Sequence, residues 1–506
     1  MSSRTVDAPE SAPGFARTAT VVLDGAGLGV EDVVRLADGA VRPVPEAGAL
    51  RRVEASWNAA RRIAATGRVY GRSTGVGANR NVDVPTEAAA GHGLRLLRSH
   101  AGAIGAELPA RQVRAMLAIR ANQLLAGGAG LRPGVVGALC EALANGAHPV
   151  VNEFGSVGTG DIAALAQVGL ALAGEHPWCG TGAPAPQSLD NNDALALISS
   201  NALVLGQSAL ALHELRGLIG ATQVVAALSL FAVDGSHEAY AAPVHAARPH
   251  RGSTEAARRM RELIGAADRP TPPLGRIQDP YGFRCLPQIH GPALDAADAL
   301  EQVLDIEVNA AAENPLIAVE DLAAYHHGGF YQAQLALALD HFRLAVTQVA
   351  RLSTSRLSTL NEPAYTRLRP FLADHEPAAS GVMILEYAAA AALGDLRAFS
   401  APASLGHAVL SRGVEEQASF ASLAARQTLR ACGAYRLVVG CELVAAVRAL
   451  RLRGLRPDPG LGAGRAFALA DAALDDDLTD RPLTDDVATA SVLLDRFTGI
   501  WRGSTS

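Results

Sequence analysis

The feature that most constrains the fold of this chain is a series of long apolar runs, rich in alanine and leucine, in its second half. Alanine and leucine favour helices, whereas the aromatic residues that favour strands make up only 4% of the sequence. Several runs exceed the usual length of a globular helix, which is typical of bundles whose helices also contact other subunits. We therefore predict an all-α fold, a bundle of these long helices: Ala194–Val233, Pro292–Ala312, Ala333–Leu360, Gly381–Phe399 and Val414–Leu452.

The pattern along the chain divides it into three parts. Residues 1–20, rich in Ser, Ala, Pro and Thr, are predicted to form a disordered tail. Residues 21–200 are predicted to form an N-terminal helical domain, in which short helices such as Ala110–Leu125 alternate with glycine-rich turns. Residues 201–506 are predicted to form the central long-helix bundle and the C-terminal helices. Within this last part, the proline- and aspartate-rich segment Asp458–Asp485 is expected to be a surface excursion.

The composition excludes several classes of function. The net charge of −6 is small for 506 residues, so we expect no nucleic-acid or membrane-surface partner. The sequence contains no lysine, which excludes a pyridoxal phosphate Schiff base, a lysine aldolase and a Walker-type phosphate loop. The first twenty residues lack the apolar segment of a signal peptide. The uncharged stretch Ala194–Leu212 contains polar interruptions, which indicate a buried helix rather than a membrane span.

The five cysteines and the paired histidines do not suggest a metal site. The cysteines show no Cys-x-x-Cys spacing, and such an odd, scattered set suits a reducing compartment. We therefore expect a cytoplasmic protein. His326 and His327 are adjacent, so their side chains point in different directions, and no third ligand has a suitable spacing.

A glycine-rich loop, Gly155–Asp161, is the first candidate for chemistry. Its three glycines allow close backbone approach, and Asp161 is a suitable N-cap for the apolar helix Ile162–Ala173. Such a loop aims backbone groups and a helix dipole at one point, where negative charge can be stabilised. A capped turn without any function is the alternative.

Two further loops carry reactive or ligand-binding side chains. Tyr70–Gly77 places a phenol beside flexible backbone, and a phenol with a pKa of about 10 acts as a base only where cations or dipoles favour the phenolate. Gln278–Gln288 is dense in hydrogen-bonding groups, and its Arg284 can bind a substrate carboxylate in a bidentate manner. The alternatives are a packed surface tyrosine and a structural ion pair.

Taken together, these loops resemble the motifs of the histidine/phenylalanine/tyrosine ammonia-lyases. Tyr70–Gly77 is similar to the family's Tyr-Gly-x-x-Thr-Gly-x-Gly loop, and Gly155–Asp161 approaches its Gly-Ser-Val-Gly-Ala-Ser-Gly-Asp signature. Gln278–Gln288 fits the family's Gln-Asp-x-Tyr-x-x-Arg-Cys-x-Pro-Gln throughout. The order and spacing of the motifs agree over most of the chain, and the further matches are Ser99-His100, Asn314-Pro315-Leu316, Ser380–Ile384, Pro402-Ala403-Ser404 and Glu415.

The resemblance implies a carbon–nitrogen lyase that acts on an amino-acid-like substrate, on the long-helix fold of the ammonia-lyase/fumarase-like type. In that family the Ala-Ser-Gly triad cyclises into a methylidene-imidazolone, an electrophile that needs no added cofactor. The matching residues here imply that Tyr70 removes the β-proton, that Tyr281 assists at the electrophile and that Arg284 holds the carboxylate. The family also shares each active site among three subunits of a homotetramer. By the same resemblance, Glu415 is a further catalytic candidate, and the other substrate contacts are His100, Ser199, Asn201, Gln278 and Phe330.

Several positions around the electrophile depart from the family pattern. Gly158-Thr159-Gly160 stands where the family has Ala-Ser-Gly, and the loop is one residue shorter, so formation of the prosthetic group stays open. Ser199 takes the place of an asparagine, or Asn201 does after a slip, and His327–Tyr331 lacks the family's amide and imidazole. The scaffold segments match while the contact positions differ, which favours a changed reaction or substrate in specialised metabolism. The alternatives are an electrophile-independent proton-abstraction, cyclisation or addition enzyme, and a non-catalytic pseudoenzyme.

Overall fold

The structure, a computed structural model, describes residues 19–271 and 276–503. The predicted disordered tail therefore lies outside the described residues, except for its last two. Of these two, Thr20 begins a short strand, Thr20–Leu23, which pairs in parallel with Arg42–Pro45. The chain is thus already part of a small sheet at the predicted boundary.

Long helices dominate the described residues, and three of them have 28 to 32 residues. This confirms the predicted long-helix architecture. In chain order the α-helices are α1 Val30–Ala37, α2 Ala47–Thr66, α3 Thr86–His100, α4 Ala110–Leu125, α5 Pro133–Asn145, α6 Ile162–Leu172, α7 Asn191–Ile198, α8 Ala202–Ala232, α9 Ala242–Ala246, α10 Arg251–Ile264, α11 Tyr281–Arg284, α12 Leu286–Glu307, α13 Ala333–Leu360, α14 Pro363–Thr366, α15 Met383–Phe399, α16 Ala421–Leu452, α17 Gly462–Ala473 and α18 Thr484–Arg502.

The strands of the described residues form four separate two-stranded sheets. In chain order they are β1 Thr20–Leu23, β2 Arg42–Pro45, β3 Ile104–Glu107, β4 His148–Pro149, β5 Asn152–Phe154, β6 Trp178–Cys179, β7 Leu316–Ala318 and β8 Ala323–Tyr325. The pairs β3–β5, β4–β6 and β7–β8 are antiparallel. In the β7–β8 hairpin Leu316 pairs with Tyr325, so the residues just outside the hairpin, Asn314 and His326, lie on the same side of the molecule.

The core of the bundle is centred on α8, which is buried around nearly its whole circumference. It packs against α4, α12, α16 and α18, while α13 packs between α12 and α16. The segment Asn191–Ala232 is long and apolar enough to cross a membrane. Its most apolar 18-residue window has a mean hydropathy of 1.6, but 94% of this window is buried inside the protein. The segment is therefore part of the buried core of this fold, as its polar interruptions predicted.

The predicted limits of α4 and α13 agree with the structure, but the prediction of one helix over Ala194–Val233 is wrong. The helix is broken at Ser199–Asn201, between α7 and α8. The Ser200 hydroxyl accepts a hydrogen bond from the Ala202 N–H, because serine side chains compete with helical backbone hydrogen bonds. The break turns these polar residues into a loop at the end of the bundle.

Several other predicted boundaries also require correction. The helix expected from Val414 begins at Ala421, since Phe420 has a positive φ of 53°. Glu415 therefore lies in the preceding loop and not in the long helix. The helix expected at Pro292 begins six residues earlier, at Leu286, and accommodates Pro287 in its first turn, where no N–H is needed. The segment Asp458–Asp485 is not only a surface excursion, because it contains α17.

Candidate active site

One cavity brings together six of the residues predicted from the sequence. It has a volume of about 410 Å³ and lies where several loops meet at the end of the bundle. Its walls come from the Tyr70 loop, the glycine-rich loop, the α7–α8 break, the β7–β8 hairpin and the loop before α16. The predicted residues that line it are Tyr70, Thr159, Gly160, Ser199, Phe330 and Glu415.

Tyr70 is held by its own loop. Its hydroxyl oxygen accepts a hydrogen bond of 2.8 Å from the N–H of Gly77, where the backbone has a positive φ of 55°. Burial raises the pKa of Tyr70 above its usual value of 10.0, and the nearby Glu415 raises this pKa further. The Gly77 hydrogen bond and the Arg80 guanidinium act in the opposite direction and lower the pKa. The phenol therefore needs an additional positive charge nearby to ionise readily at neutral pH.

The loop that carries Glu415 is fastened to the Tyr70 loop. Leu410 and Glu415 form an antiparallel bridge, and the Ser411 hydroxyl accepts a hydrogen bond of 3.0 Å from the N–H of Ala78. A Cβ at Gly77 would lie only 2.6 Å from the Ser411 Oγ, so only glycine permits this approach. The close contact places the Glu415 carboxylate and the Tyr70 phenol in the walls of the same cavity.

The glycine-rich loop is held by side chains from three other elements. The Gly158 carbonyl accepts a hydrogen bond of 2.7 Å from the Ser419 hydroxyl, and the Gly160 N–H donates to the Asn201 Oδ1 at 3.0 Å. The Asp161 carboxylate does not cap its own helix α6 as predicted. Instead, its Oδ2 accepts a hydrogen bond from the N–H of Val204, in the first turn of α8. Burial raises the pKa of Asp161 to about 6.

Asn201 and Ser199 have different roles in the same break. The Asn201 amide is buried and donates a hydrogen bond of 2.9 Å to the carbonyl of Phe330. It therefore connects the α7–α8 break to the segment that carries Phe330. Ser199 lines the cavity, and its hydroxyl accepts a hydrogen bond from the N–H of Asn314. His100 lies at the C-terminal end of α3, where its ring nitrogen contacts the Leu96 carbonyl, and it does not line this cavity.

The remaining predicted residues form a second group. Gln278 and Arg284 line a separate cavity of about 370 Å³, and the Arg284 guanidinium stacks on the ring of Tyr281 at 4.7 Å. The Arg284 Nε is buried and has no hydrogen-bond partner among the described residues. The Tyr281 side chain is 67% exposed, and the neighbouring Ile277 is 87% exposed. Within one chain, the expected carboxylate anchor and the expected base therefore line different cavities.

A family model for aromatic amino acid lyases matches residues 28–472. The chain belongs to the aromatic amino acid lyase family. Among its curated relatives, the histidine ammonia-lyase of Geobacillus kaustophilus is 36% identical over 403 residues, which cover 76% of this lyase and 80% of the relative. This lyase is therefore an enzyme of the ammonia-lyase type, which cleaves carbon–nitrogen bonds.

Solved structures confirm the fold of the lyase. The ergothioneine-degrading ergothionase of Treponema denticola, in complex with desmethyl-ergothioneine sulfonic acid, superposes with a TM-score of 0.88 at 27% identity, covering 94% of this chain and 99% of that one. The tyrosine aminomutase of Streptomyces globisporus superposes with a TM-score of 0.89 at 26% identity, covering 96% of this chain and 99% of that one. One scaffold thus carries several different reactions.

The glycine-rich loop of this lyase does not fit the family's methylidene-imidazolone. Ring closure needs a bond between the nitrogen of Gly160, whose N–H donates to Asn201, and the carbonyl carbon of Gly158, whose oxygen accepts from Ser419. Gly158 has a positive φ of 88°, and a Cβ there would lie 2.2 Å from the Ser419 Oγ. The alanine of the family triad is therefore excluded at Gly158, and the loop is also one residue shorter than the family signature.

Four polar residues of the cavity were not predicted as site residues: Arg80, Ser200, Asn314 and His326. The ring of His326 meets the ring of Tyr70 edge-on, with 6.1 Å between the centroids. His327 instead fastens the hairpin, because its Nδ1 accepts from the Gly329 N–H and its Nε2–H donates to the Glu313 carbonyl. The two histidines therefore point apart, as expected. The place of His326 two residues before the Gly328-Gly329-Phe330 segment was the available signal. Among residues 19–271 and 276–503, no cluster of three metal-binding side chains occurs.

Proposed function

We propose that this lyase removes an amine from an α-amino acid derivative by β-elimination, with Tyr70 as the general base. One observation carries the proposal: Tyr70 lines the cavity, and its hydroxyl accepts a hydrogen bond from the Gly77 N–H, an interaction that favours the phenolate. The phenolate takes the β-proton, and the electrons of that bond form the new carbon–carbon double bond. The carbon–nitrogen bond breaks with its electron pair on nitrogen, which releases a neutral amine and an acrylate.

The substrate that suits this cavity carries a polar heteroaromatic side chain of the imidazole type. Glu415 and His326 place a carboxylate and an imidazole in the same cavity, and Ser199 and Asn314 add smaller polar groups to its wall. An imidazole ring can donate to a carboxylate and accept from a neighbouring donor at the same time. The histidine ammonia-lyases among the curated relatives support a histidine-like substrate.

We further propose that Arg284 binds the substrate carboxylate in the cavity of a neighbouring subunit. Its buried, unpartnered Nε and the exposed aromatic ring of Tyr281 suit a surface that becomes covered on assembly. Long helices also expose apolar side chains, such as Leu337 on α13 and Tyr387 on α15, which are 60% and 66% exposed. These faces support a homotetramer with shared sites.

The leaving group that fits the uncyclised loop is a tertiary amine, released from a quaternary ammonium. A primary α-ammonium next to a phenolate loses a proton to it, and the resulting neutral amine is a poor leaving group. An electrophile would then be needed to activate that amine for departure. A quaternary ammonium has no N–H to lose, and its permanent charge favours the Tyr70 phenolate. The structural likeness to the ergothioneine-degrading ergothionase supports a substrate other than an ordinary amino acid.

Two further expectations complete the proposal. The five cysteines are all free thiols, which is the state that a reducing compartment maintains, so we place the enzyme in the cytoplasm. The altered contact positions around the Tyr70 cavity favour a role in specialised metabolism.

The mass of the intact protein and a panel of substrates test the proposal together. We expect the unmodified mass, since cyclisation with double dehydration would remove the mass of two water molecules. We expect acrylate absorbance with trimethylated histidine-type betaines and little with histidine, phenylalanine, tyrosine or their β-isomers. If the mass is lower by two waters and histidine is turned over, the leaving group is ammonia and not a tertiary amine. If the enzyme turns over none of these compounds, the elimination proposal itself is overturned.

A further inference from the structure

Two fully buried arginine–glutamate ion pairs lie beneath the two groups of site residues. Arg120 and Glu313 form the first, which we term the loop pair, and their side chains are 0% and 2% exposed. Arg356 and Glu442 form the second, the turn pair, and both side chains are 0% exposed. Neither pair lines the Tyr70 cavity or the Arg284 cavity.

The turn pair holds the short helix α11, which carries Tyr281 and Arg284. The Arg356 Nε and Nη2 donate to the two Glu442 oxygens at 2.6 and 2.8 Å, which leaves Nη1 free to donate to the Gly282 carbonyl at 3.2 Å. A Cβ at Gly282 would lie 2.9 Å from the Arg356 Cγ, so the turn rests directly on this side chain. The hydroxyls of two serines on α8 and α13 saturate the carboxylate from the other side: Ser229 and Ser353.

The loop pair holds the end of α7, just before the α7–α8 break, and the segment that carries Asn314. The Arg120 Nη1 donates to the Glu313 Oε1 at 2.8 Å, while its other nitrogens donate to the carbonyls of Leu197, at 2.9 Å, and Ala196. These carbonyls end the helix just before Ser199. Glu313 directly precedes Asn314, whose N–H donates to the Ser199 hydroxyl. One guanidinium therefore ties together two of the segments that line the Tyr70 cavity.

We propose that the two pairs are positioning groups, the turn pair for Arg284 and the loop pair for the wall that carries Ser199 and Asn314. This inference rests on the proposed function, because it assigns binding to one group of residues and chemistry to the other. Replacing a buried ion pair with apolar residues of similar volume is often neutral or stabilising, so stability alone does not explain these pairs. Each arginine also has donors left over for backbone carbonyls, in a rigid planar arrangement that fixes direction.

Double variants separate positioning from stability, because they leave no unpaired buried charge. In Arg356→Met/Glu442→Leu we expect KM to rise about tenfold with kcat within about twofold, since the anchor loses its direction. In Arg120→Met/Glu313→Leu we expect kcat to fall about tenfold with KM within about twofold, since the cavity wall that carries Ser199 and Asn314 shifts. The matched control is Arg343→Met/Asp340→Leu, a buried pair that hydrogen-bonds residues 401–404 and α16, for which both constants should stay within about twofold.

Amide hydrogen exchange by mass spectrometry provides a readout that needs no substrate. Exchange should accelerate in residues 281–285 for the turn-pair variant and in residues 196–201 for the loop-pair variant, with the rest of the bundle unchanged. If a double variant does not fold, the isosteric variants Glu442→Gln and Glu313→Gln take its place in both measurements. Equal changes in kcat and KM for all three pairs, or exchange no faster than in the control, would show that the pairs only stabilise the core. A wild-type enzyme without turnover would overturn the proposed function, while the exchange data would still decide the role of the pairs.

Discussion

The Tyr70 cavity and the Arg284 surface are built in opposite ways. The cavity is enclosed by loops from five distant parts of the chain, and many of its polar groups already have partners. Arg284 lies on one short turn at the start of α12, stacked on an exposed tyrosine and with one nitrogen unpartnered. The loop-built region suits chemistry, where several groups must converge, whereas the turn suits the presentation of a single charge to a second chain. Under the proposed function, each region is half of a site.

The largest effect should come from the base. In Tyr70→Phe we expect kcat to fall about 10³-fold, because general base catalysis of this kind typically contributes 10²–10⁴-fold. The loss of one hydroxyl should leave the affinity for a non-reacting substrate analogue nearly unchanged, which isothermal titration calorimetry can measure. A Phe variant with wild-type kcat would contradict the assignment of the chemical half.

A second experiment tests whether the two regions act across subunits. Arg284→Ala should raise KM by about 10²-fold, because a charge-assisted bond to a carboxylate is worth about 1.5–3 kcal/mol. Mixing this variant with Tyr70→Phe under conditions of subunit exchange should restore part of the activity that each has lost. No recovery, or light scattering that reports a stable and active monomer, would place both halves within one chain.

A third experiment concerns the glycine-rich loop. Gly158→Ala should lower the free energy of unfolding by about 2–3 kcal/mol, since the new Cβ meets the Ser419 Oγ and the positive φ is strained for alanine. The matched control is Gly137→Ala, an open position on α5 where a Cβ meets nothing within 4 Å, which should stabilise by about 0.5–1 kcal/mol. Thermal unfolding compares the two, and equal melting temperatures would mean that the loop tolerates the family's alanine.

The smallest effect is a shift in pH dependence. Activity needs the Tyr70 phenolate, so it rises with pH through the pKa of Tyr70, which Glu415 raises and Arg80 lowers. Glu415→Gln should therefore move the rising limb of kcat/KM to lower pH, and Arg80→Gln should move it to higher pH by a smaller amount. The ring of His326 also meets the ring of Tyr70, so His326→Gln serves as a control that removes this contact without changing either charge variant's residue. Shifts in the same direction for both charge variants would exclude this electrostatic account.

The sequence predicted the bundle well because helix periodicity and alanine-rich composition are local properties. The limits of α4 and α13 followed from the pattern alone. The break at Ser199–Asn201 did not follow from the pattern, because it depends on hydrogen bonds made by the polar residues within an otherwise apolar run. For the same reason, the sequence identified Tyr70 and Glu415 as separate motifs, but not Arg80 or His326 as their neighbours. Such neighbours depend on how the loops pack against one another.

The fastening of the glycine-rich loop also has an evolutionary consequence. Ser419, Ser422 and Asn201 hold Gly158, Ser156 and Gly160 through side-chain hydrogen bonds. A deletion of one residue in this loop therefore changes which atoms face the cavity without disturbing the packing of α8 or α16. Mutations in this loop can alter the reaction in small steps while the scaffold stays under separate selection. The loop is therefore a point at which a family with one fold can diversify.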